Sequence, residues 1–291
     1  MRQFLVFYKF SLSEKSSNQM LDFFLIFWYN YYSKGANKMK DVMSAVKRHH
    51  LLVEDKGFEV VMTVLIGSNN YKLDTPESDI DTFTFVLPSA EDLAFAAAPK
   101  SGEFEVEDGK CMYKDIRLAL NLLKKTSPNS VECFLGKYRY YNPVYASILE
   151  TYLDNESILN YMIHCNYSHM LYSMAGMAHQ LTKRNMPAGK RYSHALRLYS
   201  MSDIFLDSIQ ADHLLELLPR YYQDAFDAKR DVTGELDAYY NHMCECIAEL
   251  MDKRRDCFEM TEYKREIERK GLDFIESLQK ELMHYYIKYI L

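Results

Sequence analysis

The chain has 291 residues, of which 48% are hydrophobic, so it is long enough for two domains and apolar enough to form a substantial core. Its formal net charge of −6 excludes a general electrostatic attraction to nucleic acid, although a local basic patch remains compatible with it. The six cysteines lack the paired spacing of a zinc site, since Cys244 and Cys246 form a lone C-x-C within a helical pattern. A reducing, cytoplasmic setting is therefore predicted.

The first 38 residues are interpreted as an N-terminal extension. The apolar run from Leu21 to Tyr32 is too short to span a bilayer, and no cleavage site follows it, so neither a membrane anchor nor a secretory signal is predicted. Two hypotheses stay open. Either these residues form an extra helix that packs on the body, or translation begins at Met39, because the codons for Lys34 to Lys38 could contain a ribosome-binding site.

Residues 39–144 carry mixed helix and strand patterns. Apolar spacing predicts a helix from Met39 to Glu54, and Ser89 to Gly109 is expected to be an insertion with a short helix and an edge strand at Phe104 to Val106. A helix is expected over Ile116 to Lys125, and Ser127 is expected to cap the next one. The predicted strands cover Phe58 to Ile66, Asp79 to Leu87 and Lys110 to Asp115.

After about Tyr145 the strand patterns vanish. The sequence therefore predicts an α+β protein, with an α/β domain over residues 39–144 and an all-helical domain over residues 145–291. A period of 3.6 residues predicts long helices over Ile158 to Lys183, Gly189 to Ser208, Leu236 to Cys257 and Tyr263 to Ile290.

Two aspartates one residue apart, Asp79 and Asp81, head the second strand. Positions two apart on a strand share a face, so the two carboxylates are expected on the same side. Mg²⁺ prefers oxygen ligands and is held by one or two carboxylates together with substrate phosphates. The pair predicts a metal site, and Asp115, at the end of the third strand, is the predicted third ligand if two ions bind.

A Gly-Ser pair, Gly67 and Ser68, ends the first strand ahead of these aspartates. Glycine lets the backbone approach a phosphate closely, and the serine hydroxyl and the amides of the turn can donate to phosphate oxygens. The pair is therefore a candidate seat for phosphate.

A cationic set, Lys190, His194 and Arg197, lies at i, i+4 and i+7 of a predicted helix and shares one face. Spacing alone favours an ordinary solvated helix face. The adjacent pair His49 and His50 is likewise predicted to be exposed.

The chain resembles the signature of the DNA polymerase β-like nucleotidyltransferase superfamily in the order of its elements. In that order a strand ends at Gly67-Ser68, a loop follows, and Asp79-x-Asp81 begins the next strand. Residues 67–81, GSNNYKLDTPESDID, are similar to the RlaP-like or YcgL-like predicted nucleotidyltransferases of bacteria and phages, as are residues 114–132 and 190–198. Lys72 departs from that group, which usually has glycine there.

The resemblance implies a polymerase-β-like nucleotidyltransferase domain followed by helices, two Mg²⁺ ions, and a nucleoside triphosphate such as ATP as substrate. It implies that Gly67 and Ser68 contact the triphosphate, and that Lys190, His194 and Arg197 hold the triphosphate or the acceptor. The metal ligands and catalytic residues that it implies are Asp79, Asp81 and Asp115.

The expected reaction moves a nucleoside monophosphate to an acceptor hydroxyl and releases pyrophosphate. RNA, including tRNA, or a protein is the favoured acceptor, and Tyr138 to Tyr141 interleave with Lys137 and Arg139 as a possible RNA surface. Two alternatives stay open: an aminoglycoside-type small-molecule transferase, and a non-catalytic nucleotide-binding or interaction protein of the antitoxin or phage host-takeover kind. A membrane partner is not expected.

Overall fold

A computed structural model describes residues 42–71, 73–74, 78–181, 183–208, 236–256 and 262–291. The chain divides into two compact units, Met1–Ser44 and Ala45–Leu291. Of the first unit, residues 42–44 are described, and they are helical. The predictions for residues 1–38 and for Lys72 lie outside the described residues.

The described chain is α+β, which confirms the predicted class; the division into two domains stays a prediction. Within the described ranges, β5 is the last strand and only helices follow it. In chain order the elements are α1 (residues 42–55), β1 (Glu59–Ile66), β2 (Asp81–Leu87), α2 (Ala90–Ala94), β3 (Ser101–Val106), β4 (Gly109–Asp115), α3 (Ile116–Lys124), α4 (Pro128–Leu135), β5 (Arg139–Tyr141), α5 (Ala146–Leu153), α6 (Glu156–Ile163), α7 (Tyr167–Leu181), α8 (Ala188–Ser208), α9 (Leu236–Asp256) and α10 (Glu262–Tyr289).

The five strands form one mixed sheet in the order β3-β4-β2-β1-β5. Strand β1 is antiparallel to β2 and to β5, β4 is antiparallel to β3, and β2 and β4 are parallel. Ile66 at the end of β1 lies opposite Asp81 at the start of β2, whereas Val86 lies opposite Asp115. The register therefore places the Gly67 turn and Asp81 at one end of the sheet and Asp115 at the other.

Alternation along β2 separates two layers. Phe85 belongs to the main core, where its ring centroid lies 5.1 Å from that of Phe134 on α4. On the opposite face Val86 packs with Val53 of α1, so α1 covers that side of the sheet. The strand that carries Asp81 is thus held between helices on both faces.

The two histidines of α1 are buried, so the prediction that they are exposed is wrong. His49 contacts Thr82 Oγ1 at 2.8 Å through Nδ1 and Asp108 Oδ1 at 3.0 Å through Nε2, and His50 Nδ1 lies 3.1 Å from Thr63 Oγ1. Burial lowers the pKa of His50 to about 4. His50 Nε2 lies 3.3 Å from Glu54 Oε1, so all four ring nitrogens have polar partners, which is why both rings can leave water.

The long helix predicted over Ile158 to Lys183 is two helices, α6 and α7, and that prediction is corrected. Asn166 directly precedes α7, and its carbonyl accepts from the Met170 amide at 3.1 Å. Thr126 Oγ1 donates to the same carbonyl at 2.6 Å. Asparagine favours the position before a helix, so the break had a local signal that the 3.6-residue period concealed.

Helix α10 packs against α6 at Gly271. A Cβ atom at this glycine would overlap the carbonyl oxygen of Tyr161 and lie 2.8 Å from Cys165 Cβ. The close approach of the two backbones therefore requires glycine. Within the described parts of the chain, no helix is long and apolar enough to cross a bilayer.

Gly271→Ala is expected to lower the free energy of unfolding by about 1–3 kcal/mol, because the added methyl overpacks the α6–α10 contact. Gly176→Ala in α7 is the matched control. A Cβ atom there would meet nothing within 4 Å, so the change should raise stability by about 0.5–1 kcal/mol. Urea denaturation measures both values, and shifts of the same sign would contradict the packing assigned to Gly271.

Candidate functional site

The turn after β1 begins at Gly67, whose φ of +73° favours glycine. The Asn70 amide donates to the Gly67 carbonyl at 3.0 Å, and the Tyr71 amide donates to the Ser68 carbonyl at 3.2 Å. The amides of Ser68 and Asn69 thus form the N-terminal end of a helical turn, which is the end that attracts anions. A Cβ atom at Gly67 would lie 3.5 Å from Asp81 Oδ2, so the turn sits directly against this carboxylate.

The two aspartates meet beside this turn. Asp81 opens β2, and its Oδ1 accepts from the Lys110 amide at 3.1 Å. Asp79 precedes the strand instead of lying within it, and it is exposed. Its carbonyl accepts from Asn69 Nδ2 at 2.6 Å, which ties the Asp79 segment to the Gly67 turn. The structure brings the pair together, and its role as a metal ligand stays a prediction.

Asp81 is in an electrostatically unfavourable position for a carboxylate. Burial raises the pKa of the Asp81 carboxyl, and the nearby charge of Asp79 raises it further. The Lys110 amide and the charges of Lys190 and Lys110 lower that pKa, but the net shift is upward. A cation placed between the two carboxylates would therefore relieve both the burial and the repulsion.

Gly109, the first residue of β4, supports this segment, and no sequence pattern revealed that role. The Ile80 amide donates to the Asp108 carbonyl at 2.7 Å. A Cβ atom at Gly109 would overlap the Ile80 carbonyl oxygen, so Gly109 packs directly against the backbone between the two aspartates. The loop between the paired residues Val106 and Gly109 is Glu107-Asp108; the adjoining Asp-Gly sequence is a common hairpin signal that could have located this turn, although not the contact with Ile80.

Helix α8 places the three residues predicted to form a cationic face at two neighbouring sites. The charge of Lys190 acts on Asp81, while His194 and Arg197 line the same cavity as Gly67. Lys190 is exposed, His194 is half-buried and Arg197 is buried, so the face predicted from their spacing turns away from solvent toward its C-terminal end.

The cavity has a volume of about 440 Å³, which is in the range of small-ligand sites. Gly67 and Ile66 lie at one part of its wall, and α8 contributes His194 and Arg197. The sheet face contributes Phe83, Phe85, Met112 and Lys114, and the start of α4 contributes Ser127, Asn129, Ser130 and Glu132. Mixed apolar and polar walls of this kind suit an organic ligand that carries a few hydrogen-bonding groups.

A buried ion pair also lines this cavity. Arg197 of α8 pairs with Glu132 of α4, and the exposed fractions of these side chains are 6% and 9%. The guanidinium of Arg197 also stacks on Tyr71, with its Cζ atom 4.4 Å from the ring centroid. The pair joins the helical part of the chain to the Gly67 turn through Tyr71.

Asp115 does not join the other two aspartates, and its prediction as third ligand is corrected. Because β2 and β4 are parallel, Asp115 lies opposite Val86, five residues along β2 from Asp81, a separation of about 16 Å at 3.3 Å per residue. Its side chain begins α3 by accepting from the Arg117 amide at 2.8 Å, and its Oδ2 pairs with Arg117 Nη2 at 2.7 Å. In the part of the chain that the structure describes, no group of three or more His, Cys, Asp or Glu residues is arranged to hold a metal ion.

The aromatic and basic residues proposed as an RNA surface make contacts within the molecule. Arg139 Nε donates to the Gly136 carbonyl at 2.8 Å, and Tyr141 donates to Asp154 Oδ1 at 2.8 Å. The Tyr140 ring lies 4.8 Å from that of His50. These contacts fix β5 at the sheet edge, so the residues have a structural role whether or not RNA binds.

No known protein-family model matches the chain, and no curated protein matches it. The resemblance to polymerase-β-like nucleotidyltransferases therefore stays a prediction that depends on the motif residues themselves.

Proposed function

We propose that this chain is a Mg²⁺-dependent nucleotidyltransferase that transfers a nucleoside monophosphate from a nucleoside triphosphate to an acceptor hydroxyl. One observation carries the proposal: the glycine-serine turn lies against the Asp81 carboxylate, on which the charge of Lys190 acts, and Gly67 of the same turn lines a cavity together with His194 and Arg197 of α8. This arrangement places a candidate anion-binding turn next to a candidate cation site and next to a cavity large enough for a small ligand.

The residues at this site fit a magnesium ion. Asp79 and Asp81 offer carboxylate oxygens, and the raised pKa of Asp81 reflects burial and the neighbouring charge of Asp79, which a cation would offset. Bound Mg²⁺ would neutralise charge on the triphosphate and on the departing pyrophosphate. The two carboxylates together with phosphate oxygens suffice for one ion, whereas the two-ion arrangement loses the ligand expected from Asp115.

The side chains have separate roles in the proposed reaction. The turn at Gly67 and Ser68 binds the outer phosphates through its amides and hydroxyl, and Lys190 neutralises charge from the helical side. The acceptor oxygen forms a bond to the α-phosphorus, the bond from that phosphorus to the bridging oxygen of the β-phosphate breaks, and pyrophosphate leaves. The hydroxyl proton passes to solvent. RNA or a protein remains the favoured class of acceptor.

A second candidate is a non-catalytic nucleotide-binding protein. The position of Asp115 favours this candidate. A transferase that uses two metal ions needs a third carboxylate beside Asp79 and Asp81, and this chain places Asp115 at the other end of the sheet. Such a protein would bind a nucleoside triphosphate with Mg²⁺ and leave it intact.

Labelling in a cell lysate tests the proposal. The purified chain is incubated with Mg²⁺ and each α-³²P-labelled nucleoside triphosphate, and the label is followed into RNA, protein and small molecules. We expect the wild type to label one class and an Asp79→Ala/Asp81→Ala double variant to label none. Equal labelling by the double variant would refute the proposed site, and binding without any labelling would favour the non-catalytic candidate.

A further inference from the structure

Helix α8 connects the Asp81 site with the cavity that Gly67 and Arg197 line. Lys190 lies near Asp81, whereas Arg197 follows seven residues later, about 10 Å along the helix axis at 1.5 Å per residue. This length is comparable with the separation between the phosphates and the base of an extended nucleotide. A triphosphate bound at the Gly67 turn would therefore direct its base toward Arg197.

The Arg197 end is suited to the edge of a polar aromatic ring. Arg197 and Glu132 are both buried, and both line the cavity. Arg197 Nε has no hydrogen-bond partner among the described residues, so the guanidinium retains donor capacity beyond its pair with Glu132. Phe83 and Phe85 contribute apolar ring surface to the same chamber.

We propose, on the basis of the transferase function proposed above, that this end binds the base of the nucleotide and selects guanine. A carboxylate only accepts hydrogen bonds and a guanidinium only donates them. Guanine presents two adjacent donors, N1–H and the N2 amine, and two adjacent acceptors, O6 and N7. It therefore matches both side chains at the same time, with its donor edge toward Glu132 and its acceptor edge toward Arg197.

The other bases match this pair less well. Adenine offers the carboxylate one amine and lacks a second adjacent donor, and uracil has a single N–H between two carbonyls. Adenine or uracil would leave one oxygen of Glu132 or one N–H of the Arg197 guanidinium without a hydrogen bond in a buried site, which lowers affinity. A pair that served the fold alone would favour none of the bases.

Isothermal titration of the wild-type chain with GTP, ITP and ATP, each with Mg²⁺, tests the selection. ITP lacks only the N2 amine of guanine. We expect GTP to bind most tightly, and both ITP and ATP to bind at least about 5-fold more weakly, since one well-formed base contact is worth about 1–3 kcal/mol. Equal affinities for GTP and ITP, or a preference for ATP, would overturn the guanine assignment and leave the proposed function intact. Failure of all three nucleotides to bind would overturn the proposed function itself.

A variant pair separates recognition from stability. Glu132→Gln retains one acceptor oxygen and is expected to bring the affinities for GTP and ITP within about 2-fold of each other. Glu276→Gln, which removes an exposed ion pair with Lys124, is the control and should keep the wild-type ratio. A Glu132→Gln protein that folds and keeps the full preference for GTP over ITP would refute the role of Glu132. If this variant does not fold, the wild-type comparison of GTP with ITP decides the question alone.

Discussion

Replacing Asp81 with asparagine is expected to lower the proposed nucleotidyl transfer by about 10²- to 10³-fold or more while the protein stays folded. Asparagine has the shape of aspartate and can still accept from the Lys110 amide, which lies 3.1 Å from Oδ1. It lacks the charge needed to hold a cation beside the Gly67 turn, and electrostatic stabilisation of this kind supplies much of the rate of such reactions. Because burial and Asp79 raise the pKa of Asp81, removing its charge should leave the melting temperature unchanged or raise it.

Asp115→Asn is the matched control, and its expected effects are the reverse. It breaks the charged pair with Arg117, whose Nη2 lies 2.7 Å from Asp115 Oδ2 in a site where the Asp115 residue is 2% exposed. Loss of hydrogen bonds to a charged group should cost about 1.5–3 kcal/mol of stability. Transfer per folded molecule, measured below both melting temperatures, should stay close to the wild-type value.

This pair of variants separates two models of the site. Loss of transfer in Asp115→Asn without loss of stability would return Asp115 to the site and contradict the register described here. Transfer at the wild-type level by the Asp81→Asn variant would exclude the proposed carboxylate chemistry altogether. Thermal denaturation and a transfer assay on the same preparations provide both measurements.

The closeness of the Gly67 turn to Asp81 could be predicted from the sequence for a physical reason. Strands β1 and β2 are consecutive and antiparallel, so the end of the first is adjacent to the start of the second whatever the rest of the chain does. A turn residue such as Gly67 and an early residue such as Asp81 must then lie close together. Local pattern and sheet geometry are sufficient to bring them together.

The predicted position of Asp115 beside the other two aspartates was wrong because it depends on how β4 pairs with β2, and that pairing is parallel. Strand β4 reaches β2 only after α2 and β3 have intervened, and the direction in which it then runs decides which end of the sheet its last residue occupies. The sequence of β4 alone fits either direction. The strand itself was predicted correctly over nearly its full length, whereas the location of its last carboxylate was not.

The sequence also did not predict which residues contact the buried polar side chains. Spacing predicted that Lys190, His194 and Arg197 share a face, and no local pattern linked Arg197 to Glu132, which lies on α4. His49 and His50 were predicted to be exposed because Lys47 and Arg48 precede them, and the threonines that they contact lie on β1 and β2. Burial of a charged or titratable side chain depends on such distant partners, which tertiary structure supplies.

Arg197→Met is expected to destabilise the protein by about 3–5 kcal/mol, because it leaves the Glu132 carboxylate buried without its counter-charge. It also removes the contact of the guanidinium with the Tyr71 ring, 4.4 Å away, which adds to the loss. A double variant, Glu132→Leu/Arg197→Met, removes both charges together and replaces them with apolar side chains. Its stability should return to within about 1–2 kcal/mol of the wild type, since a buried pair contributes little net stability once its own desolvation is counted.

Chemical denaturation of the wild type, Arg197→Met, Glu132→Leu and the double variant gives the coupling energy between the two positions. A large coupling with a stable double variant means that the pair is not required for folding, which is the expected outcome for a charged pair kept for ligand recognition. A single Arg197→Met variant within about 1 kcal/mol of the wild type would show that the Glu132 carboxylate is solvated or protonated in the folded protein. The buried, charged base site inferred above would then lose its physical basis.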